Sequence, residues 1–73
     1  MTLHTFVHQI ARQADRYLLA SQQDTNPVVG FTHASYATAG YEMLTLMGLP
    51  FTKSLALSTN EQDRWGRQLM ERR

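Results

Sequence analysis

Between Thr25 and Thr52 the chain carries one charged residue, Glu42, within the stretch NPVVGFTHASYATAGYEMLTLMGLPF. A helix that is apolar nearly all round is normally buried nearly all round. Whatever fold forms must therefore be arranged around this segment. A membrane is not the expected cover. The run free of Asp, Glu, Lys and Arg, Thr25 to Tyr41, is 17 residues long and includes His33, Ser35 and several Thr, short of the roughly 20 mainly apolar residues that span a bilayer.

The boundaries of the segment predict a helix over about 27–47. Asn26 can accept hydrogen bonds from the first free amides, and Pro27 suits the first helical position because it has no amide hydrogen to leave unpaired. Gly48 supplies a left-handed stop, and Pro50 discourages resumption. Gly30 and Gly40 inside the helix each cost about 1 kcal/mol relative to Ala, so close packing at both is expected to offset that cost.

Upstream, Leu3, Phe6, Val7, Ile10, Ala14, Tyr17 and Leu18 recur at three-and-four spacing, the signature of one apolar helix face. This predicts an amphipathic helix over about 3–21, capped by Thr2 or Thr5. The two helices form an antiparallel hairpin, and a turn centred near residue 24 puts Ala14 opposite Ala34. The packed stripe of the second helix is then Gly30, Phe31, Ala34, Ala37, Thr38, Tyr41 and Leu44.

Downstream, Ser58-Thr59-Asn60-Glu61 has the spacing of a capping box, which predicts a shorter helix over about 59–72. Glu61 and Asp63 would lie at its positive end and Arg72 and Arg73 at its negative end, with Trp65 and Leu69 as a narrow apolar edge. Leu49 to Leu57, short, apolar and broken by Pro50, reads as an extended cover segment or a single helical turn. The expected architecture is all-α, a helical hairpin plus a shorter C-terminal helix, in one small domain.

The hairpin leaves a second apolar stripe on the second helix: Val29, His33, Tyr36, Gly40, Met43 and Met47, with Leu46 beside it. A chain of 73 residues without cysteine cannot reinforce a small core with disulfides, and such chains commonly use a metal or oligomerisation instead. Charged residues are 18 % of the chain, against about 25 % in ordinary domains. These features predict self-association through the second stripe, with another protein as a further candidate partner. The competing reading has Leu49 to Leu57 fold back over that stripe within one chain.

Chemistry-bearing residues point elsewhere only weakly. His4 and His8, four apart on one helix, can share a metal ion, but the third histidine, His33, belongs to a distant level of the hairpin and is expected to bond a polar neighbour such as Asp15. Ser35 and His33 are two apart and point to different sides of a helix, Glu42 lacks a partner carboxylate, and no glycine-rich phosphate loop exists. The expectation is a non-enzymatic protein without cofactor or metal. Arg64, Arg67, Arg72 and Arg73 beside Trp65 give the alternative, a nucleic-acid contact. Acidic neighbours on the same helix weaken it, and the whole-chain charge of +1 offers no bulk attraction to phosphate. The N-terminus MTLHTFVHQIARQADRY lacks the features of a signal peptide, so the expected location is intracellular and cytoplasmic. Size alone suggests a virus-encoded accessory or structural protein.

Overall fold

The computed structural model describes residues 2–71, which form three helices and, among these residues, no strand. Helix α1 spans Leu3–Gln23, α2 spans Pro27–Leu46 and α3 spans Thr52–Glu71. The architecture is the all-α hairpin with a C-terminal helix. Both α1 and α3 pack along α2 and meet each other only sparingly, in a body of 45 × 18 × 14 Å.

The helix ends follow local chemistry. Thr2 Oγ1 accepts from the Thr5 amide at 3.1 Å, and Asn26 Oδ1 accepts from the Val28 amide at 2.9 Å with Pro27 at the first helical position. At the end of α2, Gly48 takes φ +85°. Its amide donates to the Thr45 carbonyl at 2.9 Å and the Leu49 amide donates to the Leu44 carbonyl at 3.1 Å, so two otherwise free carbonyls are satisfied by the Schellman arrangement.

Two expectations about the register and the last helix are corrected. Ala14 abuts Gly40, where an added Cβ would lie 3.0 Å from that of Ala14, so the partner is six residues beyond Ala34, about 9 Å along the axis at 1.5 Å per residue. The reason is volume, since an Ala and a Gly let two helix axes approach more closely than two Ala. Ala34 is fully buried all the same, in the stripe Gly30, Ala34, Ala37, Tyr41 and Leu44 that α1 and α3 enclose together.

Helix α3 begins at Thr52, not near residue 59, so Leu49 to Leu57 is largely helical and does not cover the second stripe. Phe51 and Leu55 pack instead on the cluster of Ala14, Ala37 and Tyr41. Ser58 is consequently no cap. It is fully buried in mid-helix, its hydroxyl donating to the Leu55 carbonyl at 3.0 Å and accepting from Thr38 Oγ1 at 3.0 Å. Glu61 and Asp63 likewise stand in mid-helix, away from the positive end, and Glu61 pairs with Arg64. Arg72 and Arg73 lie outside the described residues.

Trp65 joins all three helices. Its indole lies over Gly30, where an added Cβ would fall 2.3 Å from the ring, and its Nε1–H donates to the Ser21 carbonyl at 3.1 Å. That carbonyl belongs to the last turn of α1, whose acceptors have no intrahelical partner. A side chain of α3 thus caps α1 across a glycine of α2. Only 3 % of Trp65 is exposed, so what reads as a narrow edge is a central contact.

Candidate functional site

The second stripe of α2 divides into two parts. Gly40 and His33 belong to the junction with α1: Gly40 receives Ala14 and Ile10, and the His33 ring lies 5.6 Å from that of Tyr17. The close approach expected of another chain at Gly40 is therefore taken by α1. His33 bonds Asp24, not Asp15, with Nδ1 and Oδ2 2.7 Å apart. Asp24 is the C-cap residue of α1, so this pair ties the interhelical loop to α2. Asp15 accepts from the Tyr41 hydroxyl at 2.5 Å; burial, reinforced by that bond, pushes the Tyr41 phenol well above its ordinary range.

The other members remain uncovered. Val29, Tyr36, Met43, Leu46 and Met47 are all exposed, Leu46 by 82 % and Tyr36 by 56 %. Together with exposed Val28 they account for six of the eleven large hydrophobic residues that face solvent among the described residues, which marks this side of α2 as the place where apolar surface accumulates.

Sequence reasoning missed the part that α1 contributes. A shallow groove of about 350 Å³ runs between the helices, lined by Ile10, Gln13, Tyr17, Tyr36, Ala39 and Met43, with Ala14 and Gly40 at its base. Tyr17 and Tyr36 meet across it with ring centroids 5.1 Å apart. Phe6, 39 % exposed, follows the same flank of α1 seven residues before Gln13. The shifted register brings these groups beside Tyr36 and Met43, so the hairpin drawn with Ala14 on Ala34 could not reveal them.

The remaining candidates stay apart. His4 and His8 stack at 6.4 Å between ring centroids, while His33 is held at the far end of α1; among the described residues no three His, Cys, Asp or Glu side chains gather as a metal site. Ser35 accepts from Gln62 Nε2 at 3.2 Å, a contact between α2 and α3. Arg64 donates through Nε and Nη2 to Glu61 at 3.0 and 2.9 Å, lies 4.1 Å over the Trp65 ring, and is held more firmly protonated by that carboxylate. Arg67 lines a broad groove of about 880 Å³ between α2 and α3 with Phe31, Asp63, Gly66, Leu69 and Met70. Its acidic neighbour opposes phosphate binding there. No described helix is long and apolar enough to cross a membrane. The chain matches no family model, no curated protein and no solved structure.

Proposed function

We propose that this protein is a non-enzymatic helical subunit that assembles with copies of itself, and with further protein partners, through the outer face of α2 and the adjoining flank of α1. The observation that carries the reading is the uncharged, solvent-facing row Val29, Tyr36, Met43, Leu46 and Met47 on the one helix that α1 and α3 leave open. Met adapts its shape to irregular surfaces and Tyr presents an apolar ring with a polar tip, and both residue types are enriched at protein interfaces. A two-fold pairing is the commonest way for one such face to meet another.

Sedimentation of the wild-type chain at micromolar concentration tests this. A mass above that of the monomer is expected, together with its dispersal by Met43→Glu. Asn60→Glu, on the exposed side of α3, should leave the mass unchanged. A compact wild-type monomer up to about 100 μM, where weak self-association of roughly −5.5 kcal/mol would already show, would overturn the reading.

A further inference from the structure

The charges that border this face select one arrangement of two copies, an inference that rests on the self-association above. Glu42 follows Ser35 and Thr38 by seven and four residues, and those two bond Gln62 and Ser58 of α3. Glu42 therefore stands on the α3 side of α2, exposed. On the opposite border, exposed Arg12 and Arg16 form a patch with Gln9 and Gln13, and Gln13 also lines the apolar groove. Across the molecule the order is thus Arg12 and Arg16, then Gln13, then the apolar groove and row, then Glu42. The heights also match. Since Ala14 abuts Gly40 in an antiparallel pair, Arg12 and Glu42, each two residues away in opposite chain directions, lie at one level. Among the described residues neither Glu42 nor these two arginines form an ion pair.

Two kinds of two-fold axis can bring this face against itself. An axis perpendicular to the helices keeps each border on its own side, so arginine faces arginine and Glu42 faces Glu42. An axis parallel to the helices preserves height and exchanges the borders, so each copy brings Glu42 to the other's Arg12 and Arg16. The geometry points to a parallel two-fold dimer in which α2 of each copy lies over α1 of the other, antiparallel to it, as neighbouring helices lie in a four-helix bundle. Charge pairs at the rim fix orientation more than they add affinity, and the apolar row between them supplies the burial.

Charge reversal on the full chain reads this directly, with helix content by circular dichroism confirming that each surface variant folds. Glu42→Arg should raise the dimer dissociation constant by about tenfold, and Arg12→Glu with Arg16→Glu should do the same, since like charges then oppose at two symmetry-related rims. The triple variant should return to within about threefold of wild type, and the wild-type dimer should weaken with added salt. Additive losses in the triple variant, or tighter association of Glu42→Arg alone, would overturn the parallel arrangement. If Met43→Glu disperses a dimer that shows no such charge coupling, the arrangement falls and the self-association stands. A monomeric wild type removes both.

Discussion

Gly30 and Trp65 show what a single position can decide. A methyl group on residue 30 would lie 2.3 Å from the indole, far inside contact distance, so Gly30→Ala must displace the ring and with it the bond to the Ser21 carbonyl. Overpacking of this kind costs about 1–3 kcal/mol, more than the roughly 1 kcal/mol that Ala gains over Gly in a helix. Urea unfolding followed by the emission of Trp65, the one tryptophan, should show a lower midpoint and a red-shifted folded spectrum. Tyr41 makes a second prediction. Its folded phenol holds its proton more tightly than the ordinary value near 10, because it is buried and bonded to Asp15. The stabilisation this confers is complete below about pH 10 and is lost as pH rises beyond it, where unfolded chains ionise and folded ones do not. Unfolding free energy should therefore begin to fall as pH rises above about 10, and Tyr41→Phe should flatten that slope. The sequence marks Gly30, Ala34, Ala37, Tyr41 and Leu44 as one buried stripe because their spacing is helical. Nothing in it tells that Trp65, 35 positions further on than Gly30, fills the glycine gap, because that pairing exists only once α3 is docked.

At the scale of the helices, the start of α1 and both ends of α2 are legible because Thr2, Asn26, Pro27 and Gly48 each act through their own backbone neighbours. The start of α3 is not, and the cause is the composition of its buried line. That line runs Phe51, Leu55, Ser58, Gln62, Trp65, Leu69 at four-and-three spacing, but Ser58 and Gln62 are polar and interrupt the apolar period. Each is answered across the helices, Ser58 by Thr38 and Gln62 by Ser35, and no local pattern encodes those answers. The same geometry changes what Ser58→Ala does. As a capping residue it would loosen the start of the helix. As a buried bridge its loss costs about 1 kcal/mol and leaves the first turn of α3 intact. Amide exchange should show protection at Leu55 to Leu57 unchanged relative to the rest of α3 in Ser58→Ala. A coupling of about 0.5–1 kcal/mol should appear in the cycle with Thr38→Val.

For the whole molecule the decisive quantity is how much of α2 three helices can cover. Two neighbours enclose Gly30, Ala34, Ala37, Tyr41 and Leu44, and the opposite side, from Val29 to Met47, faces water. The existence of this leftover face follows from the sequence, since one helix with a single charge has more apolar sides than one amphipathic partner can fill. Its outline, shared with Phe6, Ile10 and Tyr17, depends on the register of Ala14 with Gly40, which the loop length misplaces. A chain of this size buries only about 60 % of its unfolded surface, and each large side chain removed from water adds roughly 1.5–3 kcal/mol, a substantial fraction of the 5–15 kcal/mol that holds ordinary domains folded. Under the proposed self-association, folding and assembly are linked, because anything that binds only the native state stabilises it by mass action. The thermal midpoint of the wild-type chain should rise by several degrees between about 1 and 100 μM, on the scale at which 1 kcal/mol shifts a domain of this size by roughly 4–8 °C. Calorimetry across that range checks it. Met43→Glu should lower the midpoint and remove its dependence on concentration, whereas Gly30→Ala, which leaves the outer face untouched, should lower it and keep the dependence. A wild-type midpoint independent of concentration would mean that α2 is stable with its outer face in water and that assembly contributes nothing to the fold.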